Sequence, residues 1–153
     1  MTTGTLVLPI TDSAVLLAVK KRGFGAGRWN GLGGKVRSGE SIEKAAVREL
    51  REEVGVMADS ASLEPAGVLD FTFERTGTAW RMHIFRLRQW KGEPHESEEM
   101  RPAWHPLTAV PFDEMWPADR HWMPAVLVGC AVEGKFHYDA AGNEIRDMQI
   151  RLI

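Results

Sequence analysis

The stretch that most restricts how this chain can fold is "GGKVRSGESIEKAAVRELREEVGV", residues 33 to 56, where a glycine-rich turn runs straight into a helix crowded with glutamates. Ser41 is placed to cap that helix, which should run from about Ile42 to Val54, with Gly55 just past its end. Val47, Leu50 and Val54 fall on one side as a core stripe. Glu49, Glu52 and Glu53 stand at i, i+3 and i+4 and project together from one face, over the small Ala45 and Ala46, which leave room for a loop to approach. The like-charge pair Glu49 and Glu53 costs an isolated helix roughly a few tenths of a kcal/mol. A stable helix that keeps such a face needs positive charge against it.

Two sources of that charge are open. Three carboxylates beside a turn freed by Gly31, Gly33 and Gly34 make a hard oxygen-ligand set, suited to Mg²⁺ or Mn²⁺. Alternatively the face is solvated and balanced by Lys44, Arg48 and Arg51. Arg48 can pair with Glu52, but no basic residue stands four positions from Glu49 or Glu53. Charge along the chain is also segregated: Ser13 to Gly39 holds Lys20, Lys21, Arg22, Arg28, Lys35 and Arg37 and no acid, and the acids begin at Glu40. A net charge of −2 gives no basic field for a nucleic-acid polymer. The pattern suits a small polyanion held through cations.

The rest reads as one mixed α/β domain spanning residues 1–153, a sheet covered by helices. "TLVLPI" (5–10) and "AVLLAVK" (14–20) read as a strand pair with a tight connection, and "KRGFGAGRWNGLGG" as loop with one short extended piece. "GVLDFTFER" (67–75) and "AWRMHIFRLRQW" (79–90) form a hairpin, "KGEPHESEEM" is polar loop, and "RPAWHPL" is a short extended piece. A second helix is expected from roughly Asp119 to Val132 with Pro124 inside it, then a closing hairpin around "AAGN". Cys130, the only cysteine, is expected to be a buried small hydrophobe. No basic leader precedes the first apolar stretch and no run reaches the ~20 residues of a membrane span, so a cytoplasmic protein without membrane partner is expected.

Gly34, Glu40 and "RELREEVGV" resemble the Nudix box, G-x5-E-x7-R-E-U-x-E-E-x-G-U with U a bulky aliphatic residue. Each defined position is filled, by Gly34, Glu40, Arg48, Glu49, Leu50, Glu52, Glu53, Gly55 and Val56. The resemblance implies a Nudix-type α/β/α sandwich with a mixed sheet and a glycine loop–helix catalytic motif. It implies Mg²⁺-dependent hydrolysis of a nucleoside diphosphate linked to another group, with metal ligation by Glu49, Glu52, Glu53 and the carbonyl of Gly33. Glu53 or Glu52 would then take a proton from water, and Arg48 would orient a carboxylate.

"KKRGFGAGRWNGLGGKV" and "ESEEMRPAW…PFDEMWP" further resemble the animal MutT-homologue branch, diphosphatases of oxidised purine nucleoside triphosphates such as 8-oxo-dGTP. That resemblance implies substrate roles for Thr5, Lys20, Asn30, Gly34 and Lys35, a base-lining or stacking role for Phe24, Phe71 and Trp116, a further metal carboxylate from Glu99, and base-edge recognition by Asp119. Each has a plainer alternative. Asn30 would serve a turn, one of Phe71 and Phe73 would face the core, Trp116 would cap the core, Glu99 would be a solvated loop acid, and Asp119 would be the N-cap of the second helix. Two positions depart from the branch: Ala118 where it has a second aspartate, and Trp80 where it has a smaller apolar residue. With one base-edge hydrogen bond missing, guanine-type substrates are expected over adenine-type ones. A monomer acting on a small nucleotide is expected; the alternatives are a Nudix enzyme for ordinary dNTPs, ADP-ribose or dinucleotide polyphosphates, and a non-catalytic nucleotide sensor.

Overall fold

The computed structural model describes residues 1–153. Eight strands and two α-helices follow in the order β1 (Thr2–Pro9), β2 (Ala14–Lys20), β3 (Trp29–Asn30), α1 (Ile42–Val54), β4 (Leu63–Phe73), β5 (Ala79–Leu87), β6 (Met100–Pro106), α2 (Asp119–Leu127), β7 (Val132–Tyr138) and β8 (Ile145–Leu152). A mixed five-stranded sheet has the order β1-β5-β4-β7-β8, and a separate three-stranded sheet has the order β3-β2-β6. The expected single sheet is therefore two. This also corrects the expected pairing of β1 with β2. They share one bridge, Ile10 with Val15, across a turn closed by the Thr11 N–H on the Ala14 carbonyl at 2.9 Å. Beyond it β1 joins β5 in parallel and β2 lies between β3 and β6.

The physical reason lies in the apolar runs themselves. Along β1, Leu6 and Leu8 enter one core and Val7 the other; along β2, Val15 and Leu17 enter the first, Leu16 and Ala18 the second. A strand buried on both faces reads as a continuous apolar run and takes neighbours within its own sheet. The first core lies under α2, with Trp122, Met123 and Val126 on Leu69, Phe136 and Tyr138. The second lies under α1, with Ala46, Leu50 and Val54 on Val7, Leu32 and Phe85.

Helix α1 keeps the expected bounds. Ser41 Oγ accepts from the Lys44 N–H at 3.1 Å, and Gly55 closes the helix in the left-handed region with its N–H on the Arg51 carbonyl at 2.9 Å. Helix α2 is shorter than expected and stops at Leu127, because Gly129, with φ +99°, turns the chain out and β7 takes up Val132. Cys130 lies in that turn and is only half-buried, not a core residue. The β4–β5 hairpin and the β7–β8 hairpin form as the sequence predicts. No helix is long and apolar enough to cross a membrane.

Candidate active site

Between the two sheets and the glycine loop lies a cavity of about 200 Å³. Its wall holds Thr5, Lys20, Phe24, Asn30, Gly33, Gly34, Phe71, Trp116 and Asp119 from the expected site, and Trp80 as well. Phe71 and Phe73 both face it. The core-facing one of the two is Phe73, buried in the first core, and because residues two apart on a strand share a face both also border the cavity. Phe73 packs against Phe24, Trp116 and Tyr138 at centroid distances of 5.6, 6.0 and 5.2 Å, and Phe71 stacks on Phe136 at 5.6 Å. Phe24 is 56% exposed and 5.3 Å from the Trp116 ring, an open apolar surface at the cavity.

Asp119 is the first residue of α2, and the N-cap position falls to Ala118, which offers no side-chain cap; the N-cap alternative for Asp119 is corrected accordingly. Its Oδ1 accepts from Trp122 Nε1 at 3.0 Å, while Oδ2 is buried without a partner. Burial pushes its carboxyl up to about 7, against the Trp122 hydrogen bond and the Arg28 charge. Ala118 is fully buried and its N–H donates to the Tyr138 hydroxyl at 3.1 Å. Asn30 does serve its turn, its Oδ1 accepting from the Gly31 N–H at 2.9 Å, and it lines the cavity too.

The glycines bring loop and helix together. A Cβ on Gly33 would collide with the Thr5 carbonyl, and one on Gly34 would lie 2.7 Å from the Glu49 carboxyl carbon. Thr5 holds the loop through its N–H on the Gly34 carbonyl at 2.9 Å. Arg48 is the hub beneath. It forks onto Glu40 at 2.7 and 3.0 Å, reaches Glu49 at 2.9 Å and Glu52 at 3.2 Å, and donates to the Lys35 carbonyl at 3.1 Å. That fork, with the Arg37 N–H, holds Glu40 down at about 2. Lys35 contributes this carbonyl; its side chain is exposed and does not line the cavity.

Glu53 is 5% exposed, and its Oε2 has no partner. Burial, then the neighbouring Glu49 carboxylate, push it up to about 9, with the Gly33 N–H and Lys20 opposing. A buried carboxyl with an orphan oxygen beside a second carboxylate and an open glycine carbonyl fits a divalent cation held by hard oxygens. Glu52 is drawn aside by Arg48 and by Arg37 at 3.9 Å, and no three acidic, histidine or cysteine side chains converge as they stand. Glu99 pairs with Arg22 at 3.9 Å and does not line the cavity. Its carbonyl accepts from the Lys21 N–H at 2.8 Å, which fixes its loop beside β2.

Four further wall residues were not among the expected site residues: Arg28, read only as one of a basic stretch, Phe73, read only as a core alternative to Phe71, and Met82 and Tyr138. Arg28 meets Gly142 across a separation of 114 residues, and Tyr138 reaches the cavity through parallel pairing of β7 with β4. Such neighbours follow from topology, and the only local hint was an arginine set among glycines.

A glycine loop and acidic helix, held against a mixed sheet beside an aromatic cavity, define a phosphoanhydride hydrolase of nucleotides. A NUDIX domain model matches residues 2–126, and the chain belongs to the Nudix family of hydrolases. Nudix hydrolases use divalent metal cations and act on small-molecule nucleotide substrates. The chain is 50% identical over 123 residues to proteins named oxidized purine nucleoside triphosphate hydrolase in Danio rerio and Mus musculus, covering 80% of this chain and 78% of each relative. It is 36% identical over 88 residues to the 8-oxo-dGTP diphosphatase of Escherichia coli, 57% of this chain and 64% of that one. In fold it is similar to the MutT protein of Bacillus halodurans, with TM-score 0.83, 24% identity and coverage of 98% and 97%.

Proposed function

We propose that this protein hydrolyses oxidised purine nucleoside triphosphates of the 8-oxo-dGTP type to the monophosphate and pyrophosphate, with Mg²⁺ as its cation and Mn²⁺ able to replace it. The observation that carries the reading is one cavity wall holding both an aromatic cluster with a free buried carboxylate oxygen, on Asp119, and the glycine loop that lies against Glu49. The animal relatives' names support the substrate class.

Glu49, Glu52, Glu53 and the Gly33 carbonyl would hold the cation, with Glu99 joining from its loop. Bound there, a divalent ion supplies Lewis acidity toward phosphate oxygens and lowers the pKa of water. Lys20 steadies phosphate oxygens, Gly34 and Lys35 border the phosphate path, and Glu53 or Glu52 takes the proton as water attacks and the bridge between α- and β-phosphorus breaks. Arg48 acts through the carboxylates it orients. The purine would lie against Trp116, Phe24 and Phe71, with Thr5 and Asn30 as polar neighbours.

Asp119 in its ionised form accepts from the two N–H groups of a guanine-type edge. Ala118 can neither donate nor accept, and an unmatched polar group costs roughly 1–3 kcal/mol. Guanine-type substrates are therefore preferred over adenine-type ones. The protein is read as a monomer working on free nucleotides in the cytoplasm. Product analysis with Mg²⁺ on a panel of normal and oxidised dNTPs tests the whole reading. Pyrophosphate and 8-oxo-dGMP from 8-oxo-dGTP are expected, with kcat/KM about tenfold or more above that for 2-hydroxy-dATP. Comparable values would remove the preference, and Ala118→Asp should narrow the gap.

A further inference from the structure

The turn between β7 and β8 lies beyond the residues matched by the family model, which end at 126, yet it reaches the aromatic cavity. Arg28, from the glycine loop, lays its guanidinium over the Trp116 ring at 4.2 Å from the centroid. The same guanidinium forks onto the turn, Nη1 donating to the Gly142 carbonyl at 3.0 Å and Nη2 to Asn143 Oδ1 at 2.9 Å. The turn is set in advance by Asp139, whose Oδ1 accepts from the N–H groups of Asn143 at 2.7 Å and Glu144 at 3.0 Å.

Two glycines shape the slot for the indole edge. Gly142 has φ +74°, and a Cβ there would lie 2.5 Å from Trp116 Cζ3 and 3.1 Å from Phe73 Cε1. Gly25 has φ +81°, and its Cβ would lie 3.0 Å from Trp116 Cζ2. The indole is thus held at its edges by two loops far apart in sequence and on its face by a cation anchored to one of them. No hydrogen bond from the Trp116 side chain fixes it, so these contacts and the Phe24, Phe73 and Tyr138 rings set its orientation.

We propose that Arg28 and the β7–β8 turn form a clasp that fixes the Trp116 indole as a pre-set wall for the nucleobase, Arg28 serving as a positioning residue. The proposal rests on the reading that this cavity receives a purine base. A stacking surface fixed before binding spares the complex the entropy of ordering it. The clasp acts on base binding and leaves the carboxylate site alone, since Arg28 makes no contact with Glu49, Glu52 or Glu53.

The test uses full-length protein with Arg28→Met, Arg28→Lys and Gly142→Val, assayed on whichever purine nucleoside triphosphate the wild type turns over best. KM should rise about tenfold in Arg28→Met and Gly142→Val with kcat within about threefold, the pattern of lost uniform binding. Mn²⁺ affinity by electron paramagnetic resonance should stay at the wild-type value. Arg28→Lys should restore only part of KM, since an ammonium keeps the charge but not the fork. Unchanged KM in Arg28→Met, or a loss of Mn²⁺ affinity in step with it, overturns the clasp. A second arm needs no substrate: in 5-fluorotryptophan protein, the ¹⁹F resonance assigned through Trp116→Phe should be single in wild type and broadened or split in Arg28→Met. Should the wild type cleave none of the purine triphosphates, the functional reading falls and this spectrum alone decides, an unaltered Trp116 resonance overturning the clasp.

Discussion

At the scale of single residues, Asp119 shows how burial gives a carboxylate two accessible charge states, which would matter to its proposed role as base reader. It is 3% exposed, and its carboxyl is raised from 3.8 to about 7. A folded-state pKa above the unfolded value means that the folded chain holds the proton more tightly. The stability this confers is complete below pH 3.8 and is lost as pH rises to about 7. Asp119→Asn keeps the shape without the charge. It should therefore be more stable than wild type above pH 7, by up to about 4 kcal/mol, and should lose that advantage on approach to pH 4. Urea melts at several pH values measure this. A stability difference that does not change with pH would mean that Asp119 titrates alike in the folded and unfolded chain and that burial shifts nothing. Binding runs the other way: KM for a guanine-type substrate should fall as pH rises through 7, because the ionised form is the acceptor, and the asparagine variant should lose that dependence.

The elements divide sharply into those legible in the sequence and those set by partners elsewhere. Helix α1 was legible to its last residue because its signals are local: a serine cap, a 3.6-residue apolar stripe and a left-handed glycine. The β1–β2 pairing was not, since the same apolar runs serve a hairpin or two sheets equally well, and the choice was made by β5 and β6, more than seventy residues away. The box residues were legible for the same local reason, whereas the clasp partners Arg28 and Gly142 were not, because only folding joins them. Gly55 adds a contact invisible in the helix alone. At φ +76° it already favours glycine, and a Cβ would collide with the ring of His95, whose own N–H donates to the Val54 carbonyl at 3.0 Å. Gly55→Ala should therefore cost about 2–3 kcal/mol in urea denaturation, above the roughly 1–2 kcal/mol of a left-handed alanine. In the double variant with His95→Ala, the Gly55 step should shrink to that backbone term alone. An undiminished step would show that the ring contact contributes nothing.

Over the whole molecule, the proposed cation site on the acidic face of α1 would join stability to cation binding. Glu53 is buried against Glu49 with one oxygen unmatched, Arg48 is already committed to Glu40, Glu49 and Glu52, and Lys20 acts on Glu53 through its charge without a hydrogen bond to that oxygen. A divalent ion that binds the folded chain and not the unfolded one stabilises it by RT ln(1 + [L]/Kd), about 2.7 kcal/mol at a hundredfold excess over Kd. For a domain of this size that amounts to a rise in Tm of roughly 8 °C. Wild type titrated with Mg²⁺ in calorimetry should show this rise, and EDTA should reverse it. Glu53→Gln removes the repulsion with Glu49 and one anionic ligand together. It should melt at or above wild type without metal, gain little from Mg²⁺, and lose turnover while still binding nucleotide through the aromatic cavity. An equal Mg²⁺-dependent rise in both proteins would place the ion elsewhere and leave the carboxylate stack of α1 without its counter-charge.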